Sequence, residues 1–143
     1  MVPFERLNPA VILVVEDDRL VQLELADWLG ELGLNVLTAD NADTAMALLN
    51  DHSDIQILLT DIQMPGSMNG IRLAHQAAER WPALRILVMS GMYATELSAL
   101  PPGAWFFPKP IDHKKLWQVL AGQPGAPIAP LARPQRPPQS GCA

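Results

Sequence analysis

Ile55-Gln56-Ile57-Leu58-Leu59-Thr60-Asp61, followed at once by Ile62-Gln63-Met64-Pro65-Gly66, is an almost unbroken apolar run that ends on an acid. Its length suits a strand, and near-continuous rather than alternating apolar character marks a strand buried on both faces. Val11-Ile12-Leu13-Val14-Val15 repeats the arrangement and ends in Glu16-Asp17-Asp18. Two buried strands thus deliver carboxylates to one edge of a sheet. Further on, Val88-Met89-Ser90-Gly91 brings a hydroxyl, and Phe106-Phe107-Pro108-Lys109-Pro110 an ammonium.

Working outward, five strands are expected near Val11–Val15, Asn35–Thr38, Ile55–Thr60, Arg85–Met89 and Ala104–Phe107, alternating with helical patterns. Val21, Leu25, Trp28, Leu29 and Leu32 recur at helical spacing before the stop at Gly33. Ala42, Ala45, Met46 and Leu49 mark a second helix capped by Asp40 or Asn41. Ile71, Ala74, Ala77, Ala78 and Trp81 mark a third, closed by Pro82. A fourth, around Ala94–Leu100, is cut short by Pro101-Pro102, and Asp112 opens a fifth carrying Leu116, Val119 and Leu120. Such alternation implies parallel strands joined by right-handed crossovers in a doubly wound α/β sheet. Sheets of this kind bind ligands beyond the carboxyl ends of their strands. All the chemistry-bearing residues above fall there.

The chain has 143 residues, a formal net charge of −5 and one cysteine, Cys142. One domain is expected, spanning 10–121, with residues 1–9 as a lead-in and 122–143 as a Pro-rich disordered tail. The acidic balance argues against a nucleic-acid surface, which needs a basic stripe. A lone cysteine fits a reducing compartment, and no apolar run is long enough for a membrane span. With no basic-then-apolar leader pattern at the N-terminus, these features predict a soluble cytoplasmic protein. His52, His75 and His113 show no metal-ligand spacing and read as surface or half-buried residues.

Three adjacent acids after a buried strand are costly unless hydrated or neutralised, and Asp61 at the next strand end adds to the repulsion. Hard oxygen donors with room for water and phosphate oxygens favour Mg²⁺. Asp17 is assigned as a direct ligand, Glu16 as a water-mediated one, Asp61 as a ligand and the backbone carbonyl of Gln63 as completing the shell, while Asp18 caps the first helix. Beside a metal, the Asp61 carboxylate becomes a nucleophile towards phosphorus, since Asp carboxylates form acyl phosphates. Ser90 is placed to donate to a phosphoryl oxygen, and Lys109, framed by aromatic and proline neighbours, to pair with it as a point charge. The Lys109-Pro110 bond is a candidate cis peptide.

VILVVEDD at 11–18, LLTDIQMPGSMNG at 58–70, VMSG at 88–91 and FFPKP at 106–110, matched in order over roughly Ala10 to Leu120, resemble the receiver domain of bacterial response regulators, the CheY-like family. The resemblance implies a flavodoxin-like five-stranded sheet of order 2-1-3-4-5 with five helices, here with the fourth shortened. It implies Asp61 as the phosphorylated residue, Glu16 with Asp17 as the acidic pocket, Ser90 and Lys109 as the hydroxyl and lysine, and Phe106 as the switching aromatic. Two departures stand out: the MPGSMNG loop is one residue longer than the common form, and Asn69 stands where Asp is usual. The implied function is a stand-alone receiver. It takes a phosphoryl group from a histidine kinase or histidine phosphotransfer protein with Mg²⁺ bound, and passes the signal to a downstream protein target or relays the phosphate. Catalysis is limited to its own phosphorylation and slow dephosphorylation. No nucleic acid or membrane partner is expected, and the chain is expected to be a monomer or weak homodimer. Two other readings compete. A degenerate interaction module is disfavoured by the complete residue set. An Asp-nucleophile phosphatase usually needs a second Asp where this chain has Gln63.

Overall fold

The structure is a computed structural model that describes residues 10–64, 69–91 and 99–121. The expected lead-in, the Pro-rich tail, the tip of the MPGSMNG loop and most of the expected short fourth helix lie outside those residues.

Five strands form one parallel sheet: β1 (Val11–Val15), β2 (Asn35–Ala39), β3 (Ile55–Asp61), β4 (Arg85–Ser90) and β5 (Trp105–Pro108). Their order is β2-β1-β3-β4-β5, as the resemblance implies. Among the described residues the helices are α1 (Arg19–Glu31), α2 (Ala42–Asp51), α3 (Gly70–Arg80) and the C-terminal α4 (His113–Ala121). Strand bounds agree with expectation to within a residue at each end.

Period-2 alternation divides each strand between the two faces. Leu13, Val15, Leu58, Val88 and Phe106 pack with Ala42, Ala45 and Leu49 of α2 and with Leu73, Ala74 and Ala77 of α3. On the other face Ile12, Val14, Ile57, Leu59, Met89 and Phe107 pack with Leu25 and Leu29 of α1 and Leu116, Val119 and Leu120 of α4. Ile12 through Val15 and Ile57 through Leu59 are sealed from solvent, which is why these strands read as continuous apolar runs. A fully buried Leu or Ile contributes about 1.5–3 kcal/mol, so these two strands anchor the domain.

The helix ends follow local chemistry. Asp18 caps α1 by accepting from the amides of Leu20 and Val21, at 3.0 and 3.3 Å. At its other end Gly33 adopts φ 98°, and the amides of Gly33 and Leu34 donate back to Gly30 and Leu29. This closing pattern needs a residue that tolerates the left-handed region. Asn41, not Asp40, caps α2 through a 2.8 Å bond to the Thr44 amide. Asn69 caps α3 by accepting from the Arg72 amide at 3.0 Å. Asn and Asp are equivalent in that role, so the departure at position 69 leaves the helix start intact. Before β5, Pro102 and then Gly103 at φ 87° make a turn closed by the Ala104 amide on the Pro101 carbonyl at 3.2 Å. Trp117 is 40% exposed, because Leu116 and Leu120 take the inward face of α4.

Candidate functional site

The acidic and basic residues are placed by the sheet's own hydrogen bonding, which runs one residue past several strand ends. The amide of Glu16 donates to the carbonyl of Ala39 (3.0 Å), that of Ile62 to Met89 (3.0 Å), and that of Lys109 to Ser90 (2.9 Å). Thr60 pairs with Val15, Asp61 with Met89 and Ser90 with Pro108. Side chains distant in the chain are thereby brought together at the carboxyl edge of β1, β3, β4 and β5.

Lys109 is its centre. Its Nζ lies 2.9 Å from Glu16 Oε1 and 2.9 Å from Asp61 Oδ2. Glu16 and Asp61 are 1% and 3% exposed, so neither carboxylate has bulk water to hydrate it. The second Glu16 oxygen accepts from the Asp18 amide at 3.0 Å, and Asp61 Oδ1 accepts from the Gln63 amide at 3.3 Å. Burial pulls the Lys109 ammonium down, but the hydrogen bonds and charges of Asp61 and Glu16 outweigh it and hold its pKa above the ordinary lysine value. Asp17 is exposed, yet partial loss of hydration and its contact with Glu16 raise its pKa above that of a free aspartate, against a lowering backbone hydrogen bond. Ser90 is fully buried, and its hydroxyl donates to Gln63 Oε1 at 3.2 Å. Phe106 lies in β5 at 6% exposure, paired in register with Val88. The Lys109-Pro110 peptide is cis.

Carboxylate oxygens of Glu16, Asp17 and Asp61 all lie within 4.8 Å of one another. Three hard anionic donors at that spacing suit a small divalent cation and would repel one another without one. The donor set therefore fits Mg²⁺.

Two more residues lie against the site, and neither announces itself in the sequence. Gly70 begins α3 so close to β3 that a Cβ there would stand 1.9 Å from the Asp61 carbonyl oxygen. Its presence in MPGSMNG was the available signal. Gln22 is 2% exposed and donates to the carbonyls of Glu16 and Ala39 and to Asp40. A polar residue on the stripe of Leu25 and Leu29 was the signal there.

A family model described as the response regulator receiver domain matches residues 12–121. The chain belongs to the response regulator receiver family. The receiver is 34% identical over 131 residues to the DNA-binding transcriptional regulator NtrC of Azospirillum brasilense, covering 90% of this chain and 27% of that protein. It spans only about a quarter of the length of the NtrC relatives it matches. It is 36% identical over 108 residues to the response regulator receiver protein CpdR of Brucella abortus, covering 73% of this chain and 88% of that protein. Among solved structures, the receiver domain of the hybrid histidine kinase CckA superposes with a TM-score of 0.66 at 30% identity, over 80% of this chain and 98% of that one. The protein thus contains a receiver of two-component signalling, a class of domain that accepts phosphoryl groups and carries an acidic Mg²⁺ pocket. Among the described residues no helix is long and apolar enough to cross a membrane.

Proposed function

We propose that the receiver accepts a phosphoryl group on Asp61 from the phosphohistidine of a kinase or phosphotransfer protein. The observation that carries this reading is the placement of one ammonium 2.9 Å from two buried carboxylates brought from separate strands, with a third carboxylate alongside. Glu16, Asp17, Asp61 and the Gln63 carbonyl would hold Mg²⁺, which when bound offsets the charge of the incoming phosphoryl group.

The chain's own residues do the rest. An Asp61 carboxylate oxygen forms the new bond to phosphorus. The phosphorus–nitrogen bond to the donor imidazole breaks, and its electron pair stays on the ring nitrogen. Lys109, already beside Asp61, moves from the carboxylate to a phosphoryl oxygen, and the Ser90 hydroxyl turns from Gln63 to another. Phe106, directly beneath this edge in β5, then repacks and carries the change to the surface around β5 and α4. The kinship with the receiver of a hybrid histidine kinase supports a phosphohistidine donor. Matching 88% of CpdR's length supports action as a free-standing receiver that signals through a protein target or relays phosphate.

Incubation with acetyl phosphate and Mg²⁺, read by intact mass, should add one phosphoryl group to the wild type and none to Asp61→Asn. Amide exchange should change near Phe106 on phosphorylation. A wild-type chain that gains no mass, while a known receiver in the same tube does, would overturn the reading in favour of a constitutive interaction module.

A further inference from the structure

We infer that Gln22 is a positioning residue for Glu16, fixing the peptide from which the deepest carboxylate of the acidic pocket projects. The inference rests on Glu16 being part of the magnesium pocket proposed above.

The geometry is specific. Gln22 Nε2 lies 3.0 Å from the Glu16 carbonyl, 3.2 Å from the Ala39 carbonyl and 2.9 Å from Asp40 Oδ1. Glu16 also donates its own amide to Ala39 at 3.0 Å. Both backbone polar groups of Glu16 are therefore held, the amide by β2 and the carbonyl by α1. Beyond that peptide, the carboxylate is oriented by the Asp18 amide and by Lys109.

Packing alone does not explain this amide. Gln22 shares its buried stripe with Leu25 and Leu29, where a Leu or Met would fill the same space without the cost of burying an amide. What an aliphatic side chain lacks is donors for two carbonyls at the ends of β1 and β2. Asp40 adds direction: with three oxygens facing the side chain, only the NH₂ end can point at them, so the amide has one orientation. The Asp40 bond, made to a charged acceptor, is the strongest of the three by type. Groups that orient metal ligands from behind typically change metal affinity about 10–100-fold when removed.

Mg²⁺ titration by calorimetry on the unphosphorylated chain, paired with thermal melts in chelator, separates positioning from scaffolding. Gln22→Met keeps the shape and removes the donors, and is expected to weaken Mg²⁺ binding about tenfold. Gln22→Lys keeps a donor for the carbonyls and a partner for Asp40, and is expected to stay within about threefold of wild type. A Gln22→Met chain that melts lower in chelator but binds Mg²⁺ as the wild type does would reduce Gln22 to a structural residue and overturn the inference. Should Gln22→Met not fold, Asp40→Ala at an exposed position removes only the charged acceptor. It is expected to weaken Mg²⁺ binding about two- to fivefold, and an unchanged affinity overturns the inference equally. Absence of Mg²⁺ binding in the wild type is a different failure, that of the pocket itself.

Discussion

Gly70→Ala should damage both stability and phosphorylation, although the same exchange in a free helix is favourable. In an exposed helix interior, alanine gains about 1 kcal/mol over glycine, and less in the first turn. Here the new Cβ would lie 1.9 Å from the Asp61 carbonyl oxygen, 2.8 Å from its carbonyl carbon and 2.8 Å from the Ile62 Cα. All three are backbone atoms at the buried end of β3 and the residue after it, so no side chain can swing aside. Reaching the 3.0 Å limit that real Cβ contacts respect needs a retreat of 1.1 Å. That retreat stretches the 2.9 Å bond from the Gly70 amide to the Ile62 carbonyl. Overpacking typically costs about 1–3 kcal/mol and a weakened hydrogen bond about 1 more, against the small propensity gain. The net is a destabilisation of about 2–3 kcal/mol, or roughly 10 °C in melting temperature for a domain of this size. Misplacing a reacting group by about 1 Å costs up to about 100-fold in rate. Denaturant unfolding and acetyl phosphate uptake, both well below the variant's melting point, measure the two effects. A variant that melts within about 2 °C of wild type and labels at its rate would refute the close approach of α3 to Asp61.

Two other perturbations probe the charges. Lys109→Met leaves Glu16 and Asp61 buried without their shared cation. Breaking a buried pair costs about 3–5 kcal/mol, and the 28% exposure of the Lys109 side chain puts this case at or below the lower end. The melting deficit should be largest in chelator and shrink under saturating Mg²⁺; an equal deficit in both would show that the metal and the ammonium do not serve the same carboxylates. Asp17 supplies a pH dependence. Its pKa in the folded, metal-free chain stands above the ordinary aspartate value, so ionising it there is harder than in the unfolded chain. The resulting destabilisation is absent below the unfolded value, grows as pH rises towards the raised folded value and is full above it. Mg²⁺ binds the ionised form, so the rise in melting temperature that it produces should shrink as pH falls into the acid range. An Mg²⁺-induced rise that is flat from neutral to acid pH would remove Asp17 from the ligand set.

Much of this architecture is legible because strands buried on both faces leave an unmistakable trace. Ile57 to Leu59 and Ile12 to Val15 have no solvent face, so no polar residue interrupts them and their acidic ends stand out. The caps were legible for a similar reason, since Asp18 and Asn41 precede periodic apolar residues. Asp40 and Asn41 could not be told apart as the cap of α2, because both are good caps and only the backbone at the end of β2 chooses. Gln22 was hidden by its partners: two are backbone carbonyls, which leave no mark on composition, and the Ala39 carbonyl lies 17 residues away.

The site as it stands also sets the energetic terms of the proposed switch. Neither Ser90 nor Lys109 waits idle for a phosphoryl group: one donates to Gln63 at 3.2 Å, and the other holds Glu16 and Asp61 at 2.9 Å. Phosphorylation therefore stabilises the shifted state only by the difference between new bonds and those given up. A neutral hydroxyl–amide bond nets about 1 kcal/mol, whereas a bond to a phosphoryl oxygen is charge-assisted and roughly twice as strong. Ser90 alone thus falls well short of the ~5.5 kcal/mol that carries a two-state equilibrium from 1:99 to 99:1. Lys109 must supply much of the remainder. It can do so because phosphorylating Asp61 removes the charge from that carboxylate and places a larger one on the phosphoryl oxygens beside it, leaving Glu16 as the contact that opposes the move.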